Sequence, residues 1–170
     1  MNEDALAIAN YFIDLARRDG EPIKPLKLMK LVYIAHGYML AILGYSALNP
    51  RFNKVEAWKY GPVIPSVYHS FKHFGNNPIT ERTTIFEGEN DGVPTIVEPA
   101  LKDERERQVC GVVWDRYRGY SDNELVTLMH GVGTPWAKVY KAGQNLPIPD
   151  EYTKAYYSYL IEKIIESKDV

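Results

Sequence analysis

Apolar residues recur along this chain at helical spacing in several blocks, and each block has its own character. Leu6, Ala9, Ile13 and Ala16, joined by Ile8, Phe12 and Leu15, form the stripe of a first helix. Asn2, Glu3 and Asp4 supply a cap and an acidic first turn, Arg17 and Arg18 complement the last turn, and Gly20 ends the helix. A short extended connector, residues 21–25, leads to a second helix over residues 26–43 that is apolar on nearly every side and stops at Gly44. A helix of that kind belongs at the centre of a core. Val55 to Lys59 then reads as a short strand, Tyr60-Gly61 as a sharp turn, and Pro62 to Phe74 as a helix, with a stop over residues 75–78.

The pattern changes between Thr83 and Val97. Two strand-like runs, residues 83–86 and 93–97, flank residues 87–92, with Asn90, Asp91 and Gly92 as turn formers, which predicts a β-hairpin with an acidic tip. A helix follows from Asp103 to Tyr117, with Val109, Val112, Val113 and Tyr117 as its apolar positions. Ser121 with Glu124 forms a capping box for a helix over residues 122–130. Thr134 and Pro135 start another short helix, and a final one runs from Asp150 to Ser167 on a stripe of Ala155, Tyr156, Tyr159, Leu160, Lys163 and Ile164. The expectation is a mainly α (α+β) fold: one helical domain over residues 1–170 with a small antiparallel β element and a β-hairpin.

Bulk properties narrow the function classes. The 170 residues are 45% hydrophobic, enough for a core of their own. A net charge of −2 argues against a dedicated nucleic-acid binder. One cysteine, Cys110, allows neither an internal disulfide nor a four-cysteine zinc site. The acidic N-terminus has no basic region of a signal peptide, and the apolar helix is interrupted by Lys27, Lys30 and His36, so no membrane segment is expected and the location expected is cytoplasmic. Thirteen tyrosines are either boundary residues of a helical core or contact residues of an interface.

Catalytic chemistry finds little support. His69 and His73 have the spacing of two metal ligands on one helix face, but no glutamate follows the first and no third ligand is near, so no metal or cofactor is expected. Cys110 lies among valines and reads as a packed thiol. The basic–aromatic run Arg105, Arg107, Arg116, Tyr117, Arg118 and Tyr120 is interleaved with acids and reads as a salt-bridged helix face; Lys138, Tyr140 and Lys141 form a smaller cluster. What stands out is the block of residues 58–75, WKYGPVIPSVYHSFKHFG, where bulky rings surround a Gly-Pro corner. That corner is either a packed part of the core or a rigid recognition surface.

Three stretches in order carry a family resemblance: LKLMKLVYIAHGYMLA at 26–41, FNKVEAWKYGPVIPSVYHSFKHFG at 52–75 and LMHGVGTPWAKVY at 128–140. Together they resemble the Panacea domain, also called the SocA-like antitoxin domain, found in bacterial and prophage proteins that include phage-associated GepA-like members. Met129 stands where that family commonly has Thr. The resemblance implies a mostly helical, non-catalytic domain that neutralises a cognate protein toxin by binding it. Two other roles occur beside it: an adaptor that delivers a toxin to an ATP-dependent protease, and a DNA-binding autoregulator. A binding module needs a shaped patch with aromatic anchors, and the candidates are Trp58, Tyr60, Gly61, Pro62, Tyr68 and Trp136. The hairpin between Thr83 and Val97 is a second candidate surface, whose acidic tip suits a basic toxin.

Overall fold

Fourteen buried residues line the 18-residue helix α2 (Pro25–Ile42), and everything else is arranged around it. The structure is a computed structural model that describes residues 3–168. Against α2 pack α1 (Glu3–Arg18), α3 (Pro65–Phe71), α4 (Glu104–Tyr117), α5 (Asp122–Met129) and α7 (Asp150–Lys168). The short helix α6 (Pro135–Val139) rests on α7. The fold is mainly α, as its apolar periodicity implies. The cap expected at Asn2 lies outside the described residues.

Packing against α2 is close enough to dictate residue type. A Cβ on Gly37 would lie 2.0 Å from the Tyr157 ring, so only glycine lets α7 approach there. Polar groups that the helices bury find partners. The His36 ring contacts Ser46 Oγ at 2.7 Å and Asp150 Oδ1 at 3.0 Å, which ties the start of α7 to α2. Tyr33 and Thr153 share a hydroxyl contact, as do Tyr38 and Tyr117. No helix among the described residues is long and apolar enough to cross a membrane.

Two small sheets complete the fold. In one, β1 (Glu56–Trp58) lies between β2 (Gly61–Val63) and β5 (Leu146–Pro147), antiparallel to both. The other is a hairpin of β3 (Ile85–Asn90) and β4 (Val93–Val97).

Several details differ from the sequence expectation. The helix expected from Pro62 starts at Pro65, and a 3₁₀ turn (Lys72–Phe74) finishes it. Pro65 forces the residue before it out of the helical region: Ile64 is extended at φ −98°, ψ 110°. Residues 61–63 therefore become an edge strand, where Pro62 is tolerated. The β3–β4 turn is also tighter than residues 87–92. Asp91 and Gly92 alone turn the chain, both at positive φ (51° and 78°), and the strand-disfavoured Glu87-Gly88 is absorbed by a register shift. Val112 is exposed on α4. On α7 the buried residues are Thr153 and Tyr157, while Ala155 and Tyr159 of the expected stripe face solvent. The two-residue β5 has no periodicity to betray it.

Candidate functional site

The corner is built by β1, β2 and the start of α6. Trp58 ends β1, and its indole N–H donates to Glu56 Oε2 at 2.6 Å. Its ring meets Tyr68 of α3 edge to face, centroids 5.0 Å apart at 65°, an arrangement worth about 0.5–1.5 kcal/mol beyond area burial. The Trp58 carbonyl accepts the Trp136 indole N–H at 2.7 Å. Trp136 in turn is stacked between His130 and Tyr140, with centroids 3.9 and 4.4 Å away. Thr134 positions it as expected: its hydroxyl accepts from Ala137 N–H, and Pro135 occupies the first turn.

Beneath the corner lies Lys30, one of the residues that interrupt the apolar surface of α2. It is fully buried, and its ammonium donates to the Pro62 carbonyl at 3.0 Å. Burial pushes its pKa down to about 7, because a cation loses its hydration there. His130, half-buried nearby, is lowered first by burial and then by Lys30, and its Nε2 is enclosed without a hydrogen-bond partner among the described residues. Gly61 sits directly over this lysine at φ +106°, and a Cβ there would lie 3.0 Å from Lys30 Nζ. The signal for Lys30 was present in the sequence: a lysine on a helix that is apolar all round has no solvent face to occupy.

The six candidate residues thus take different places. Gly61 and Pro62 are buried and shape the backbone. Trp58, Tyr68 and Trp136 are half-buried, each with part of a ring at the surface. Tyr60, at the turn, is 58% exposed. Cations sit over the outer rings: Lys59 over Tyr60, Lys72 over Tyr68 and Arg51 over Phe52, at 5.3, 5.8 and 5.4 Å from the ring centres. A neighbouring groove of about 520 Å³ is lined by Arg51, Phe52, Lys54, Glu56 and His69 among others. Phe52, which reads in the sequence as a strand residue, is exposed beside this groove and precedes β1.

The other candidates fall elsewhere. His69 lies on α3 and His73 in the 3₁₀ turn after it, both exposed, so they no longer share a regular helix face. No group of three or more His, Cys, Asp or Glu side chains among the described residues is placed to hold a metal ion. Cys110 is fully buried, and burial pushes its thiol up, away from reactivity. Arg105, Arg107 and Arg118 are engaged by Asp103, Glu104 and the Asp19–Glu21 pair. What remains is the cation–aromatic face of the corner.

Residues 28–137 match the family described as Antitoxin SocA-like, Panacea domain. The chain is 37% identical over 133 residues to Antitoxin SocA of Caulobacter vibrioides (strain NA1000 / CB15N), an alignment covering 78% of this chain and 68% of that protein. No solved structure matches.

Proposed function

The chain belongs to the SocA-like antitoxin family that carries the Panacea domain, and we propose that it neutralises a cognate protein toxin by binding it directly. Family membership points to a regulatory rather than a catalytic role. The observation that carries the finer reading is the corner itself. Its half-buried rings are fixed by neighbours, while Tyr60 and the edges of Trp58, Tyr68 and Trp136 stay accessible. Anchors fixed before binding lose little side-chain entropy on contact. Cations over the rings fit a toxin surface that offers apolar groups beside carboxylates. Gly61 and Pro62 act by setting the shape on which those rings stand.

The test is to express the tagged chain with its neighbouring genes and to identify what co-purifies. One near-stoichiometric protein that arrests growth alone, and no longer does so with this chain present, is the expected result. Tyr60→Ala weakens that capture about tenfold, as loss of an interface tyrosine does, without changing the thermal midpoint. Recovery of the chain alone, with no rescue of growth by any neighbour, overturns the proposal.

A further inference from the structure

Among the described residues the β3–β4 hairpin pairs with no other strand. Its base is held firmly. The buried Asn10 side chain donates to the Thr83 and Pro99 carbonyls, both at 3.0 Å, and accepts from Thr83 N–H at 2.9 Å. Ile85 packs on the core from one face. The opposite face is bare: Phe86 and Ile96 stand across from each other, 62% and 64% exposed, while Val93, 65% exposed by the turn, lies on the Ile85 side beyond the core. Phe86 and Ile96 side by side on one face of a narrow ribbon make a contact surface rather than scattered exposure.

Charge defines what fits that surface. Residues 85–97 carry Glu87, Glu89 and Asp91 and no lysine or arginine. Beside the hairpin runs a groove of about 500 Å³ whose charged lining is Asp4, Glu87, Glu98, Asp103 and Glu106 against Lys102. Arg82 pairs with Glu98 and Arg105 with Asp103, but Glu87 and Glu106 have no ion pair among the described residues. Burial, then Asp103 and Asp4, raise the Glu106 carboxyl against an opposing pull from Arg105.

From this placement we infer that the bare hairpin face and its acidic groove form a second docking surface, for an extended polypeptide segment in which Lys or Arg alternates with bulky apolar residues. Alternation suits an extended chain, whose side chains point to opposite sides. Apolar residues of the segment cover Phe86 and Ile96, and its cations meet Glu87, Glu89 and the groove carboxylates. The free edges of β3 and β4 offer backbone hydrogen bonds to the same segment. The field that attracts it repels nucleic acid and anionic lipid. That the segment belongs to the toxin rests on the proposed function; the surface and its preference do not.

A fluorescent peptide of alternating lysine and valine tests this on the full chain, with a glutamate–valine peptide as control. The lysine peptide is expected to bind, more weakly as salt rises, and the glutamate peptide is not. The double variants Phe86→Ser/Ile96→Ser and Glu87→Lys/Glu89→Lys each lose at least about tenfold in affinity, whereas Tyr60→Ala binds as wild type. Unchanged circular dichroism and thermal midpoints establish that the variants fold. Equal binding by both peptides, or undiminished binding by the hairpin variants, overturns the inference. So does concentration-dependent self-association abolished by the Phe86→Ser/Ile96→Ser pair, which makes a second copy the occupant. If no toxin co-purifies while the peptide result holds, the antitoxin reading falls and this surface stands.

Discussion

β1–β2 and β3–β4 are both antiparallel hairpins joined by two residues; a glycine at positive φ lies within the Asp91-Gly92 turn of the second and opens β2, as Gly61, just after the turn of the first. They differ in what lies beneath. The first is clasped: Trp136 holds the Trp58 carbonyl, Lys30 holds the Pro62 carbonyl, and Ala57 and Val63 are buried. The second is held at its base by Asn10 and leaves Phe86, Val93 and Ile96 in solvent. A two-residue hairpin therefore yields a clasped platform in one place and an exposed arm in the other, and burial separates the two. Their charges differ as well. Arg51, Lys59 and Lys72 cover the corner's rings, while the arm is acidic.

The sharpest way to break this comparison is a single methyl group at Gly61. Gly61→Ala meets two penalties at once, the positive φ and the contact with Lys30 Nζ and Met129 Cβ at 3.0 and 3.4 Å. The expected loss is about 3 kcal/mol, since backbone strain and overpacking each cost on the order of 1–3 kcal/mol. Urea denaturation reads it as a lower midpoint at unchanged slope. A wild-type midpoint would mean that the platform yields as easily as the arm.

Next in size is the pH dependence that Lys30 gives the platform. Its folded pKa, about 7, lies below the unfolded 10.5. Between those values the unfolded chain binds a proton that the native chain does not, so stability rises with pH. The contribution is fully present above the unfolded value and is lost as pH falls toward 7. One proton corresponds to about 1.4 kcal/mol per pH unit, so wild type gains about 2 kcal/mol between roughly pH 7 and 9. Lys27, half-buried against the Arg118 and Tyr120 carbonyls, shifts in the same direction. The contrast between wild type and Lys30→Met therefore isolates the buried lysine: the variant's stability is flatter over that window, and it is the more stable of the two at the acidic end. Parallel pH profiles would show that the Lys30 ammonium is hydrated in the native state.

How much of this was legible in the sequence follows from the range of the interactions. Caps and stops are local, so the Ser121–Glu124 box, Thr134-Pro135 and Gly44 fall where their residue types place them. The central place of α2 was legible too, because an apolar helix surface can only be buried. The start of α3 was misread because two prolines competed as helix openers. The second decides, since Pro65 holds Ile64 extended. Lys30 beneath Gly61 and Asn10 between Thr83 and Pro99 are long-range pairings, separated by 31, 73 and 89 residues (61 less 30 for the first), with no periodicity to announce them. Tyr60 was named a contact residue beside Gly61 and Pro62, and only the fold separates the exposed ring from the buried backbone that carries it.

The smallest effect is the same methyl group placed at Gly92. A Cβ there finds open space, its nearest neighbour being Glu89 Oε1 at 3.9 Å, so only the positive φ of 78° opposes it. A residue other than glycine in the left-handed region costs about 1 kcal/mol. The arm opens without the core, so that cost raises its local unfolding rather than the global transition. Gly92→Ala therefore shifts the urea midpoint by less than about 0.5 kcal/mol equivalent, while amide exchange quickens across residues 85–97 and not in α2. A global shift matching that of Gly61→Ala would tie the arm into the core's cooperative unit. The contrast between platform and arm would then be one of exposure alone, and the Phe86–Ile96 face would meet its partner as a fixed surface.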